Sequence, residues 1–138
     1  MAKKIFLDTN SLIYLMSGQE PFCSKVIEFL NECISDNSEL YTSTITDAEF
    51  LVKPYSDKNF TAIENYKLCL KKLGIVKCFI TDQIAETAAR IRSIYPNIKL
   101  ADSLQIASSI DCNCDIFFTN DRQLKQVSEA NLVLICDL

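Results

Sequence analysis

The 138-residue sequence contains no histidine, no tryptophan and only two glycines, Gly18 and Gly74. The absence of histidine excludes Ser-His-Asp and Cys-His catalysis, HExxH zinc sites and C2H2 zinc fingers. Two isolated glycines cannot form a GxGxxG turn, a Walker loop or a GxSxG elbow, because each of these needs clustered glycines. The remaining chemistry depends on carboxylates, thiols, hydroxyls, amides and cations, and carboxylates are the usual protein ligands of Mg²⁺ and Mn²⁺.

The sequence also lacks any long apolar segment. Only Ile5-Phe6-Leu7 precedes Asp8, whereas a signal peptide needs an apolar region of about 7–15 residues. No run approaches the roughly 18 apolar residues of a membrane span. We therefore expect a cytoplasmic protein with no membrane partner. The hydrophobic fraction of 49 % excludes disorder, and the length predicts a single domain over residues 1–138.

Cysteine is the one unusual residue that is plentiful. The seven cysteines are odd in number, and most of them lie inside apolar periodic segments, which suits reduced thiols used as small hydrophobic side chains. Cys112 and Cys114 form the only close pair, and no second pair stands at zinc-ligand spacing. We therefore predict buried or partly buried thiols.

Short apolar runs alternate with longer helical patterns along the whole chain. Apolar residues at helical spacing fill the intervals between the runs, and the predicted order is β-αα-β-αα-β-αα-β-α-β. This alternation predicts an α/β fold, a three-layer α/β/α sandwich around a mainly parallel five-stranded sheet. The nearly continuous apolar character of the five runs suits parallel strands covered on both faces: Lys4–Leu7, Glu39–Ser43, Ile75–Ile80, Asp115–Thr119 and Leu132–Cys136.

Four acidic residues fall at or just beyond the predicted carboxyl ends of strands, where open parallel sheets form their sites. Asp8 ends the first strand and Asp121 follows the fourth. Glu49 lies in the first turn or so of the helix after the second strand, and Asp102 opens the sixth helix. Four carboxylates at one edge would repel one another strongly without a cation between them. The sequence therefore predicts a divalent metal site at this edge.

Each acid also has a purely structural interpretation when it is taken alone. Thr46 and Glu49 fit a capping box, in which the glutamate bonds back to the N-cap amide. Asp102 suits the dipole of its helix, and Asp121 can serve as an N-cap. Asp8 is harder to explain in this way because it directly follows a buried apolar strand. The joint position of the four acids favours a functional interpretation.

Four fragments of the sequence resemble the motifs of PIN-domain ribonucleases, and the size and layout resemble the VapC-type toxins of prokaryotic toxin–antitoxin pairs. Any one fragment is weak support, but the four in this order and spacing are specific, and the resemblance covers essentially all 138 residues. The fragments are Ile5-Phe6-Leu7-Asp8-Thr9-Asn10, Thr46-Asp47-Ala48-Glu49-Phe50-Leu51, Lys99-Leu100-Ala101-Asp102-Ser103-Leu104-Gln105-Ile106-Ala107 and Phe117-Phe118-Thr119-Asn120-Asp121.

The resemblance implies a catalytic acidic cluster that binds one or two Mg²⁺ or Mn²⁺ ions. Many relatives carry a further acid where this chain has Gln123, which puts tight binding of a second ion in doubt. By the same resemblance, the cluster consists of Asp8, Glu49, Asp102 and Asp121. Four further residues are assigned by the same resemblance or by their place near the motifs. They would orient the cluster or contact the substrate, and they are Asn10, Thr119, Asn120 and Arg122.

The function implied by the resemblance is a metal-dependent endoribonuclease, the toxin of a toxin–antitoxin pair, with a small antitoxin and a second copy of the chain as protein partners. The formal net charge of −4 is not the basic footprint of a general RNA binder. About four of the negative charges belong to the predicted metal site, however, and a bound ion would change their local effect.

Other functions fit the sequence less well. A haloacid-dehalogenase-type phosphatase needs a second aspartate where Asn10 stands, and a phosphoacceptor receiver domain built on Asp82 needs a lysine near Cys136. A stand-alone PIN domain, or a catalytically silent RNA-binding or regulatory module, is the main alternative. A silent module would show no metal-dependent cleavage, and that difference separates it from the nuclease.

Overall fold

The computed structural model describes residues 2–138 and contains one five-stranded sheet. The strands lie in the order β3-β2-β1-β4-β5, and every neighbouring pair is parallel. The predicted α/β fold with a parallel five-stranded sheet is therefore confirmed. The strands are β1 (Lys4–Leu7), β2 (Glu39–Ser43), β3 (Val76–Cys78), β4 (Ile116–Thr119) and β5 (Leu132–Leu134).

Seven α-helices connect the strands over the described residues. The second crossover holds three helices rather than the predicted two, because a short helix follows Leu51. The last crossover forms a 3₁₀ helix, Arg122–Gln126, where an α-helix was predicted. The helices are α1 (Thr9–Ser17), α2 (Phe22–Ser35), α3 (Thr44–Phe50), α4 (Val52–Ser56), α5 (Phe60–Lys72), α6 (Asp82–Ile94) and α7 (Leu100–Asp111).

Three predicted strands are too long, the fourth by one residue because it begins at Ile116 instead of Asp115. The third strand ends at Cys78 instead of Ile80, and the next side chain, Phe79, is 71 % exposed. The fifth strand ends at Leu134, where a 3₁₀ helix, Ile135–Asp137, begins. The apolar runs therefore predicted correctly that these strands exist. They did not predict the residues at which hydrogen-bonded pairing between strands stops.

The sheet separates two hydrophobic cores because successive side chains of a strand point to opposite faces. Ile5 and Leu7 pack with α1, α2 and α5, whereas Phe6 packs with α6 and α7. In β4, Phe118 faces the first core and Phe117 faces the second, where its ring stacks on Phe6 with centroids 5.4 Å apart. This alternation produces the three predicted layers.

The direction in which strands are added to the sheet reverses next to β1. From β1 the chain adds β2 and then β3 on one side, and later adds β4 and β5 on the other. The point where the direction of winding reverses is the usual ligand site of an open α/β sheet, at the carboxyl ends of the strands. The edge formed by the ends of β2, β1 and β4 is therefore the place to look for a site.

The cysteines are mostly buried or partly buried. Free thiols lie at Cys23, Cys33, Cys69, Cys114 and Cys136, two of them buried and three partly buried. Cys78 at the end of β3 and Cys112 after α7 are neighbours, but their Cα atoms are 7.5 Å apart, which is more than a disulfide spans. The pairing of these two residues therefore does not overturn the prediction of reduced thiols.

Within residues 2–138, none of the helices combines the length and the apolar character that crossing a bilayer requires.

Candidate metal centre

Asp8 lies at the centre of the sheet edge, directly after β1, and is only 4 % exposed. It caps α1, because its Oδ1 accepts a hydrogen bond from the Thr9 backbone amide at 2.9 Å. Its Oδ2 accepts a second hydrogen bond from the Thr119 hydroxyl at 2.8 Å. The alternation of β1 and β4 turns Asp8 and Thr119 to the face of Phe6 and Phe117, which α7 covers.

Burial raises the pKa of the Asp8 carboxyl to about 7. The hydrogen bonds from Thr119 and Thr9 lower this pKa, and the charges of Asp102 and Glu49 raise it again. Loss of hydration is thus the main reason that the ionised form is disfavoured. A cation bound beside Asp8 would favour the ionised form instead.

Asp102 lies in the first turn of α7, as predicted. The pKa of its carboxyl is raised to about 6, mainly by burial and also by the charges of Asp121 and Glu49, against the lowering effect of Lys99. The charges of two other acids therefore raise the pKa of Asp102, and the charges of Asp102 and Glu49 raise the pKa of Asp8. The four carboxylates are electrostatic neighbours at one edge of the sheet.

Glu49 occupies a different place from the one predicted. It lies near the end of α3 rather than in its first turn, and the capping-box interpretation is wrong. The N-cap of α3 is Ser43, whose hydroxyl accepts from the Ile45 backbone amide at 3.1 Å. Glu49 Oε1 instead accepts a hydrogen bond of 2.6 Å from the Thr9 hydroxyl. Glu49 is thereby tied to the residue that follows Asp8.

Asp121 has the structural role that the sequence suggested for it. It is the N-cap of the 3₁₀ helix Arg122–Gln126, and its Oδ1 accepts from the Gln123 backbone amide at 3.0 Å. Its own backbone amide donates to the Thr119 hydroxyl at 3.2 Å. Capping and proximity to Asp102 are compatible, since a cap leaves the second carboxylate oxygen available.

Asn10 completes the polar surroundings of Asp8. Its Nδ2 donates to Thr119 Oγ1 at 3.0 Å and lies 3.5 Å from Asp8 Oδ2. Its Oδ1 is buried and has no hydrogen-bond partner among the described residues. A buried acceptor without a donor is rare in folded proteins. An oxygen of this kind beside a carboxylate is suited to a water molecule or a hydrated cation.

Asn120 and Arg122 are tied to the C-terminal segment rather than to the acids. Asn120 Oδ1 accepts from the Cys136 backbone amide at 2.9 Å, and its Nδ2 lies 3.4 Å from the Tyr14 hydroxyl. Arg122 forms an exposed ion pair of 2.8 Å with Asp137. Both residues therefore hold the chain end against the sheet.

The acids do not form a closed metal site. Within residues 2–138, no group of three or more histidine, cysteine, aspartate or glutamate side chains is placed to hold a metal ion. Mg²⁺ usually takes one or two protein carboxylates and completes its coordination with waters and substrate phosphates. The carboxylates and the unpaired Asn10 oxygen are hard oxygen donors of the kind that such an ion prefers.

A buried polar group lies behind the acids, and the sequence motifs alone assign it no role. Gln105 on α7 is 0 % exposed, and its Nε2 donates to the Thr46 hydroxyl at 2.8 Å and to the Thr9 hydroxyl at 3.2 Å. One signal was present in the sequence. A glutamine stands between Leu104 and Ile106 in an apolar helix, three residues after Asp102 and hence on the same helical face.

Comparison with known proteins agrees with this architecture. The sequence pattern of the PIN domain family matches residues 5–130. No protein with a curated description matches the sequence significantly.

Several solved structures share the fold over nearly the whole chain. VapBC2 from Rickettsia felis, bound to a DNA fragment from the promoter, is 17 % identical with a TM-score of 0.78, covering 95 % of this chain and 98 % of that one. A toxin–antitoxin complex from Klebsiella pneumoniae is 21 % identical with a TM-score of 0.74, covering 95 % and 97 %. FitAcB from Neisseria gonorrhoeae is 21 % identical with a TM-score of 0.73, covering 97 % and 99 %.

Proposed function

Because this chain belongs to the PIN domain family, we propose that it is a metal-dependent endoribonuclease that hydrolyses RNA phosphodiesters and acts as the toxin of a toxin–antitoxin pair. The observation that carries the proposal is the grouping of four carboxylates at the reversal point of the sheet, two of them with raised pKa values. Perturbed acids in a crevice are typical of catalytic sites. The proposal treats residues 1–138 as one nuclease domain.

The cofactor we propose is Mg²⁺ or Mn²⁺, held by Asp8, Glu49, Asp102 and Asp121. Asn10 Oδ1, which has no partner among the described residues, would accept a hydrogen bond from a water of the ion. When bound, a divalent ion supplies an acidified water and neutralises charge on the phosphate. This chemistry suits a chain that has no histidine to act as a general base.

The side chains around Asp8 would prepare it for this task. Thr119 and the Thr9 amide hold its two oxygens in fixed directions, and its burial excludes bulk water. Without a cation, the raised pKa leaves a proton on Asp8 for much of the time near neutral pH. In-line attack by water on the RNA phosphate would leave a 5′-phosphate and a 3′-hydroxyl. For Asn120 and Arg122 we propose a supporting role, since both fix the chain next to Asp121.

We propose a small antitoxin and a second copy of the chain as protein partners. The solved structures that share the fold include toxin–antitoxin complexes. Apolar side chains are exposed on the helical surface, among them Ile27 at 43 %, Ile34 at 53 % and Leu68 at 47 %. Exposed apolar groups of this kind favour protein contacts. The cytoplasm is the compartment we propose, because the RNA substrate and a co-expressed antitoxin would both be present there.

The proposed reaction is tested by cleavage of a labelled RNA pool with Mg²⁺, with Mn²⁺ and with EDTA. We expect cleavage only with a divalent ion, and a loss of at least about 1,000-fold in Asp8→Asn and Asp102→Asn, since each variant removes a charged ligand of the ion. Asp82→Asn is the matched control, because Asp82 lies in the first turn of α6 as Asp102 lies in that of α7.

Undiminished cleavage by both site variants, or cleavage that continues in EDTA, would contradict the nuclease proposal. The absence of any cleavage by the wild-type protein would favour the silent binding module. The toxin role has its own test. Expression of the chain should arrest growth, and co-expression of a short protein encoded beside it should restore growth. Arrest that Asp8→Asn does not relieve would contradict a toxin that acts by cleavage.

A further inference from the structure

A chain of buried polar groups connects the start of α3 to Glu49, and Gln105 is its central member. Gln105, Thr46 and Ser43 are each 0 % exposed, although the surrounding core is apolar. A buried polar side chain costs free energy unless its donors and acceptors are satisfied. The contacts of Gln105 therefore define what this part of the core is built to hold.

The hydroxyl of Ser43 accepts one hydrogen bond and donates another. The Ile45 amide can only donate, and it donates to Ser43 Oγ at 3.1 Å. The hydroxyl hydrogen of Ser43 then points to Gln105 Oε1 in a short hydrogen bond. Because its oxygen accepts from Ser43, the Gln105 amide must turn its Nε2 donor group toward the other side.

On that other side, Gln105 Nε2 donates to the hydroxyl oxygens of Thr46 and Thr9. Thr42 gives its own hydrogen to the Leu7 carbonyl at 2.8 Å, so the 2.8 Å contact between Thr46 and Thr42 is donated by Thr46. Thr46 has no second hydrogen to offer to Thr9. The Thr9 hydroxyl lies 3.2 Å from Thr46 Oγ1 and has a single hydrogen to donate. Thr46 Oγ1 already accepts from Gln105 Nε2, and a nearby carboxylate is the stronger acceptor.

The hydroxyl of Thr9 uses this hydrogen for Glu49 Oε1 at 2.6 Å, a length typical of a hydrogen bond to a carboxylate. Gln105 Nε2 also lies 3.5 Å from Asp8 Oδ1. One amide group thus stands behind two of the four acids. Gln105 is 0 % exposed and therefore offers no surface for an RNA to contact.

We propose that Gln105 is a positioning residue that fixes Thr9 as a hydrogen-bond donor to Glu49 and thereby sets the metal affinity of the site. This inference rests on the proposed function for its metal but concerns a residue that the family resemblance did not assign. A methionine at position 105 has a similar length but cannot donate. A glutamate has the same shape but would draw the Thr9 hydrogen away from Glu49.

The test compares Gln105→Met and Gln105→Glu with the wild type. Groups that orient metal ligands typically contribute 10–100-fold to metal affinity or activity. We expect Mn²⁺ affinity, measured by calorimetry, to fall about tenfold or more in both variants. In RNA cleavage we expect kcat to fall by about the same factor while KM for RNA stays within about twofold, because Gln105 makes no substrate contact.

Ser108→Ala is the matched control for a buried polar residue of the same helix. Ser108 is also 0 % exposed, but its hydroxyl donates only to the Leu104 carbonyl of its own helix. We expect this variant to keep the wild-type Mn²⁺ affinity. An equal loss of affinity in Ser108→Ala and Gln105→Met would show a general effect of packing and would overturn the proposal.

Thr9 supplies a second pair of variants should Gln105→Met not fold. Thr9→Ser keeps the hydroxyl and should retain the Mn²⁺ affinity, whereas Thr9→Val should lose it about tenfold. In the double variant Thr9→Val/Gln105→Met, the loss should be no larger than in Thr9→Val alone, because both changes remove the same contact to Glu49. Additive losses, or equal affinities of Thr9→Ser and Thr9→Val, would overturn the proposal.

These measurements separate the inference from the function on which it rests. Metal-dependent RNA cleavage with unchanged Mn²⁺ affinity in folded Gln105→Met refutes the role of Gln105 and leaves the nuclease standing. Mn²⁺ binding that weakens in Gln105→Met, without RNA cleavage by the wild type, supports the role of Gln105 and refutes the nuclease. A wild-type protein that binds no Mn²⁺ overturns both.

Discussion

Strands β1 and β4 are paired neighbours in the sheet. Burial of their apolar middle residues stabilises the fold, whereas burial of the charged group at their carboxyl ends destabilises it. In the middle, Phe6 and Phe117 stack inside a core closed by α6 and α7, and burial of such side chains stabilises the fold. Two residues further on, Asp8 and Thr119 are just as buried, but the burial of a carboxylate disfavours its charged form. Two successive positions on one face of the same strands thus differ: the first stabilises the fold, and the second holds a buried acid that destabilises it.

The largest expected effect is on the apolar side of this comparison. Phe117→Ala should lower the free energy of unfolding by about 3–5 kcal/mol, because it removes a buried ring and leaves a cavity against Phe6. Urea unfolding at pH 7 measures the change. Phe79→Ala is the control, since Phe79 is 71 % exposed and should change stability by less than about 0.5 kcal/mol. Equal effects of the two variants would contradict this account of the core.

The second effect has the opposite sign. Asp8→Asn should raise the free energy of unfolding at pH 8 in EDTA, because asparagine carries no charge to bury. The gain should stay below about 4 kcal/mol, since the amide offers one acceptor oxygen where Thr119 and the Thr9 amide now bond to two. The pKa of Asp8 is about 7 in the folded chain and 3.8 ordinarily. The folded state therefore binds the proton more tightly, and wild-type stability falls as the pH rises from about 4 to 7. Below pH 4 the advantage of the variant should vanish.

Mn²⁺ should reverse the ranking of wild type and Asp8→Asn. A ligand that binds only the folded state stabilises it, so the wild type should unfold at a higher temperature with Mn²⁺ while the variant should change little. Asp82→Asn, which alters an exposed acid of α6, should show neither the gain in EDTA nor the loss of response to Mn²⁺. If Asp8→Asn were less stable than the wild type at pH 8 in EDTA, burial of the Asp8 charge could not be what destabilises the carboxyl ends of the strands.

The smallest expected effect concerns polar contacts that stay in water. Lys53 and Asp57 form an ion pair of 3.3 Å, with side chains 86 % and 54 % exposed. Lys53→Ala should change the free energy of unfolding by less than about 0.5 kcal/mol, because solvent screens such pairs. Thermal unfolding at low and at high salt checks this. A change above about 1 kcal/mol would mean that burial is not what distinguishes Asp8 from other charged groups.

Much of the fold was predictable because the pattern of the sequence is local. Continuous apolar runs and helical periodicity identified all five strands, the parallel sheet and the three layers. The order of the strands, the end of β3 at Cys78 and the 3₁₀ helix Arg122–Gln126 were not predictable in the same way. These features depend on which backbone amides and carbonyls pair across the sheet, and the local sequence pattern does not determine this pairing.

The candidate site was predictable to the extent that its residues lie at the ends of strands or the starts of helices. Asp8 directly after β1 and Asp102 in the first turn of α7 were placed correctly, because the sequence marks both boundaries. The position of Glu49 in α3 was wrong, because the sequence suggested a capping box where Ser43 is the actual cap. The contacts of Gln105 with Thr9 and Thr46 join residues 96 and 59 positions apart, and no local pattern reveals such a pairing.

The buried charge at Asp8 also has an evolutionary consequence. A single base change converts an aspartate codon to an asparagine codon, and in this chain that change is expected to stabilise the fold in the absence of metal. Most proteins drift among mutations that keep them just above a threshold of stability. A chain under selection for stability alone would accept this substitution readily. The charge of Asp8 thus costs the metal-free fold stability, and only a function that needs this charge would favour aspartate at position 8.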